Sequence, residues 1–233
     1  MKTIKVRGLV LHTYDAGENN KRLLIFCKGH GRMLVHARGA YKPTSKFMAA
    51  SQPFTYADFV LAQGAGFYSL TQADIIESFY NLRTDYDRLI IAYKLAEACR
   101  KTLWDSLEGD EILRLLLKSL LVLTKGKLPP HQVLWVFLFR FLDAFGLRPH
   151  TETCIACGAP FSGSAYVCAE GLVCHMHKSA GNCQLSKDAV MLLQYVIDCN
   201  LSQAFTIAAS PQATHELVRA AGTLWLHNFD WQI

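Results

Sequence analysis

The sequence predicts an α+β chain with a small N-terminal β-barrel, followed by a helical domain that carries an inserted metal-binding segment. Three observations predict it. Short alternating apolar stretches separated by glycine turns fill residues 1–80. From Thr84 the apolar period lengthens to that of a helix, and residues 147–183 break both patterns with cysteine, glycine and histidine. The 233 residues are 51% hydrophobic and 18% charged, enough apolar content for a sizeable core and too much for wholesale disorder.

The barrel elements follow in order. Thr3–Tyr14 alternates and is rich in Val, Ile and Leu. Lys21–Lys28 is a second strand, closed by the turn Gly29-His30-Gly31, and Arg32–Arg38 alternates again. Phe54–Ala62 and Phe67–Leu70 are split by Gly64-Ala65-Gly66. Five short strands with glycine turns suggest a closed barrel. Ser45–Ser51 interrupts strands three and four with one or two helical turns.

Helical spacing begins after Thr84-Asp85-Tyr86-Asp87, which resembles a capping box. The first helix runs to Leu103. A second starts after Asp110 and ends at Gly126 and Pro129-Pro130. A third, from about His131 to Phe145, is apolar on nearly every side and is expected at the centre of the helical domain. Ser186–Asp198 and Pro211–Phe229 are two more helices, with Pro211 suited to the first helical position after Ser210. The expected domains are 1–80, then 81–150 with 184–233, and the inserted segment 151–183.

Charge is unevenly spread. Residues 1–50 hold ten Lys/Arg and two acids, a net of +8, whereas residues 81–233 sum to zero. A local field of that sign suits a polyanion. The barrel supplies Lys21, Arg22, Lys28, Arg32, Arg38, Lys42 and Lys46, interleaved with Tyr14, Phe26, Tyr41 and Phe47. Small barrels bind single strands with a charged groove and stacking rings. Phe26 reads as core, and Tyr41, beside Lys42, as the better stacking candidate.

The sharpest local motif is Cys154-Ile155-Ala156-Cys157-Gly158 followed by Cys174-His175-Met176-His177, a C-x2-C-x16-C-x2-H spacing. Two knuckles separated by such a loop match a tetrahedral zinc site with three thiolates and one imidazole. The expected ligands of one structural Zn2+ are Cys154, Cys157, Cys174 and His177. Cys168 competes for a place in this shell, and His175 competes with His177. The loop reads as too poor in apolar residues to order itself without the ion.

Catalytic constellations are missing: no G-x-S-x-G, P-loop lysine or H-E-x-x-H motif occurs. No catalytic residue is therefore expected. The chain opens without a signal-peptide pattern, and its longest apolar run, Val133–Phe139, is too short to span a bilayer. A cytoplasmic protein with reduced cysteines is the expectation.

Several segments in order carry a family likeness. They are Gly8-Leu9-Val10-Leu11, Gly17-Glu18-Asn19 leading into Leu23–Phe26, and Gly29-His30-Gly31-Arg32. Arg38-Gly39-Ala40 follows, then Pro43-Thr44-Ser45-Lys46 and Gln52-Pro53-Phe54. Last come Phe141-Leu142, Gly146-Leu147 and Pro149, leading into Cys154–Gly158. In this order the chain resembles the bacterial RecO family of recombination mediators over nearly its full length. The resemblance implies an N-terminal OB-fold, a helical domain and a zinc-binding segment. It also implies single- and double-stranded DNA binding, strand annealing, and binding of the single-stranded DNA-binding protein through its C-terminal tail. With RecR it implies loading of the RecA recombinase. His177 stands where zinc-bearing members look like a fourth cysteine, which keeps Cys168 open as a ligand. Two other classes compete: a zinc-stabilised protein-interaction module without nucleic-acid binding, and a zinc-dependent nucleic-acid enzyme.

Overall fold

The computed structural model describes residues 2–103 and 109–233. It divides into two compact units, residues 1–86 with 96–114 and residues 87–95 with 115–233.

The first unit is built on β1 (Thr3–Asp15), β2 (Lys21–Cys27), β3 (Gly31–Ala37), β4 (Tyr56–Gln63) and β5 (Tyr68–Glu77). They close into a barrel in the order β1-β2-β3-β5-β4, with β4 returning to β1. All neighbours are antiparallel except β3 and β5, whose parallel pairing, Val35 beside Tyr68, closes the ring. Five strands in that order form an OB-fold. One face of each strand fills the interior with Val10, Leu23, Ile25, Val35, Phe59 and Leu61. A bulge between Val10 and His12 resets the alternation of β1.

β5 extends seven residues beyond the Leu70 end that the sequence suggests. Its second half is exposed on both sides except at half-buried Ala73, so no alternating pattern marks it. Ser45–Ser51 forms a run of turns, in which the Ser51 N–H donates to the Phe47 carbonyl at 2.9 Å, one helical turn. Residues 96–103 and 109–114 group with the barrel, and the Gly29 N–H donates to Asp110 Oδ1 at 2.7 Å.

The helices are α1 (Tyr86–Thr102), α2 (Asp110–Lys125), α3 (Pro130–Ala144), α4 (Lys187–Asp198), the short α5 (Leu201–Ala204) and α6 (Pro211–Phe229). Ser186 and Ser210 cap α4 and α6 by accepting the N–H of Ala189 and Ala213. Within the second unit α3 is buried on every side, and Phe141 meets Trp225 of α6 at 5.0 Å between ring centroids. The all-round apolar reading of this helix is thus its packing.

The inserted segment is more structured than its composition suggests. β6 (Ala165–Cys168), β7 (Gly171–Val173) and β8 (Cys183–Leu185) form a three-stranded sheet in the order β7-β6-β8. Ala165, Val167, Leu172 and Leu185 are buried, and β6 and β8 pack on α6. Strands of three and four residues are too short for a period to show in sequence. Among the described residues no helix is long and apolar enough to cross a membrane.

Candidate metal centre and nucleic-acid interface

Two backbone turns build the metal centre. In the first, the Gly158 N–H donates to the Cys154 carbonyl at 2.7 Å, with Gly158 at φ 71°, where only glycine is relaxed. The Cys154 N–H donates to the Ala159 carbonyl at 2.9 Å and the Ile155 N–H to Leu172 at 3.1 Å, tying this turn to β7. The second turn leaves β7 through Cys174 into a 3-10 turn, His175–His177, closed by the His177 N–H on the Cys174 carbonyl at 3.0 Å.

These turns bring Cys154, Cys157, Cys174 and His177 together, with one donor atom of each within 4.8 Å of the others. His177 offers Nδ1, 3.7 Å from the Cys154 sulfur and 3.3 Å from the Cys174 sulfur. A tetrahedral ion at about 2.3 Å from sulfur and about 2.05 Å from nitrogen sets such pairs about 3.6 Å apart. The donor set therefore fits a metal ion. Cys168 and His175 lie outside it: the Cys168 thiol faces the Gly171 carbonyl at 3.4 Å, and His175 Nδ1 meets the Tyr166 hydroxyl at 3.2 Å.

The electrostatics of the site favour thiolates. Burial opposes ionisation of Cys154, but the N–H groups of Cys174, Ala156 and Cys157 outweigh it and hold the thiol at about 6. His177 lowers Cys174, and Cys174 and then Cys154 raise His177. At Cys157 the Ala159 N–H favours the thiolate, but the neighbouring Cys154 sulfur, burial and Cys174 push the group up. Elsewhere burial raises Cys27 to about 12, an inert core thiol. All eight cysteines are unpaired by disulfides.

The basic residues of the barrel separate into two groups. Arg22, Lys28, Arg38, Lys42 and Lys46 are exposed, whereas Lys21 is 6% exposed. Lys21 shares the inward face of β2 with Leu23 and Ile25, and its ammonium sits 4.4 Å from the Tyr41 ring centroid. Its place in the expected phosphate-binding set is corrected on that ground. Burial lowers its pKa, and Asp15 opposes the shift. Arg32 is half-buried and donates to the Arg100 carbonyl. Tyr41 is 44% exposed, with its hydroxyl bonded to Asp15, and Phe26 is fully buried, as expected of a core residue. Three rings passed over as functional groups, His12, His36 and Phe67, lie on this unit in ring contact with neighbours. The signal for His36 was its outward parity between Val35 and Ala37.

Two family models cover almost the whole chain: Recombination protein O N terminal matches residues 1–79, and Recombination protein O C terminal matches residues 83–226. The chain belongs to the RecO family. RecO-family relatives agree. The DNA repair protein RecO of Acetivibrio thermocellus is 30% identical over 223 residues, 93% of this chain and 88% of that protein. The protein of the same name from Exiguobacterium sibiricum is 33% identical over 220 residues, 92% of this chain and 87% of its own length. That from Alkaliphilus metalliredigens is 34% identical over 174 residues, 74% of this chain and 71% of its own. The RecO-family barrel is the OB-fold described above, and the Cys3His cluster falls within the C-terminal match.

Proposed function

We propose that this chain is a non-catalytic mediator of DNA repair and recombination that works in the cytoplasm on the nucleoid. It binds single- and double-stranded DNA through Arg22, Lys28, Arg38, Lys42 and Lys46, with Arg32 at the margin. The observation that carries the reading is a closed OB-fold with those five cations exposed, in a segment of net charge +8. Family membership supports annealing of complementary strands, cooperation with RecR in loading RecA, and binding of the acidic tail of the single-stranded DNA-binding protein. Residues 1–80 are the DNA-binding domain, 81–150 with 184–233 the helical domain, and 151–183 the zinc-binding segment.

Zinc is the ion that suits three thiolates and one imidazole, and its role is structural. Four protein donors fill a tetrahedral shell and leave no position for a substrate or an activated water, which favours a mediator over an enzyme. When bound, the ion cross-links the two turns.

The test is a titration of labelled oligo-dT with the purified chain across a range of salt. With about four to six phosphates contacted, each releasing about 0.7 counterion, log affinity falls against log salt with a slope of roughly −3 to −4. Binding that is absent, or indifferent to salt, refutes the reading.

A further inference from the structure

Cations hold phosphates but do not distinguish a single strand from a duplex, and the outer face of the barrel carries more than cations. His36 lies between the core residues Val35 and Ala37, so strand alternation turns it outward. On β1, after the bulge, Thr13 pairs with core Leu23, while Tyr14 pairs with exposed Arg22 and His12 lies two residues from it on the same face. Tyr14, Arg22 and His36 are successive cross-strand neighbours. The rings fall into two pairs on either side of Arg22: His12 with Tyr14 at 4.6 Å between centroids, and His36 with Phe67 at 5.5 Å.

Phe67 is 41% exposed, yet the backbone seats it. The Gly64 N–H donates to the Phe67 carbonyl at 2.9 Å, and the ring lies so close to Gly64 that a Cβ there would stand 2.8 Å from Cζ. The turn thus holds a large ring at the surface beside His36.

We infer that these two ring pairs are a two-base stacking subsite for a single strand, with the phosphate between the bases on Arg22. This rests on the DNA-binding reading above and adds to it what the barrel recognises. Base faces are free in a single strand and hidden in a duplex, so a stacking track selects strandedness without reading sequence. The two strand spacings from Tyr14 to His36, about 9.5 Å, leave room for one side chain, Arg22, between the pairs. A cation at the centre of the track favours a polyanion with flat apolar groups over an apolar peptide.

The experiment compares the full-length chain on a dT 20-mer and on an abasic strand of the same length and charge, by fluorescence anisotropy. The chain binds dT at least about 30-fold more tightly than the abasic strand, from two stacked bases. The double variant His36→Ala/Phe67→Leu removes one of the two pairs and cuts the dT preference by about fivefold or more, while abasic affinity and salt slope stay as they were. Phe67→Tyr keeps the preference, and Gly64→Ala, which displaces the ring, weakens it. Equal binding of the two strands by the unaltered chain overturns the inference, as does a double variant that weakens both strands alike. Failure of the underlying reading is different: neither strand then binds in a salt-dependent manner.

Discussion

Lys21 and Arg22 are adjacent in the chain and opposite in environment. Strand alternation places the lysine inward under Tyr41, 6% exposed, and the arginine outward and exposed. Lys21→Met keeps the apolar stem and removes the ammonium from the Tyr41 ring. It is expected to cost about 0.5–2 kcal/mol of stability and to leave DNA affinity within about twofold. Arg22→Ala does the reverse, with affinity reduced and the melting temperature unchanged. Thermal melting and anisotropy on the two variants check both halves. Gly171 is a second decisive position. A Cβ there would overlap the His150 carbonyl oxygen, which accepts the Leu172 N–H at 2.9 Å. Gly171→Ala is therefore expected to pry residue 150 from β7 and lower zinc affinity at the neighbouring Cys174, measured by competition with a chromogenic chelator. Composition reads both lysine and arginine as basic, and only the parity of the strand tells them apart.

At the scale of elements, the two knuckles and the small sheet depend on different forces. The sheet buries Ala165, Val167, Leu172 and Leu185 with α6 beneath it, so apolar contact holds it. The turns at 154–158 and 174–177 converge on the donor cluster, and a bound ion would join them. Chelation is expected to speed amide exchange in those turns while β6, β8 and the barrel keep their protection, as hydrogen exchange would show. This narrows the sequence-based expectation that the whole loop depends on the ion. The C-x2-C-x16-C-x2-H spacing was legible because cysteine and histidine identity carries it, whereas three-residue strands carry no period. The C-terminal half of β5 was illegible for a related reason, since exposure on both faces removes the alternation. On α1, Arg100 holds the Glu97 carboxyl below its ordinary range, with burial opposing. A carboxyl lowered in the folded state stabilises above its unfolded value of about 4.3, and that contribution is lost as pH falls through the folded value. Glu97→Gln should thus cost up to about 1 kcal/mol at neutral pH, and the difference should vanish once pH falls below the folded value.

For the whole molecule the governing feature is the gradient of charge along the chain, +8 over residues 1–50 against zero over 81–233. The helical spans, the five-stranded barrel and the RecO-family likeness all followed from patterns with a long reach: period, turn residues and the order of short motifs. Surface arrangement did not, because it depends on which strands the closure makes neighbours, and the parallel β3–β5 pair that sets Phe67 beside His36 has no local signal. The central claim is that the barrel, not the helices, carries the DNA contacts. The most direct measurement is the salt slope of oligo-dT binding for two quadruple alanine variants, one at Arg22, Arg38, Lys42 and Lys46 and the other at Lys94, Lys101, Lys118 and Lys125. The account predicts that the barrel variant loses about 2–3 units of slope and weakens on all sequences alike, at about 0.7 per lost contact, while the helical variant keeps the slope of the unaltered chain. A helical variant that loses as much slope and affinity as the barrel variant would contradict it.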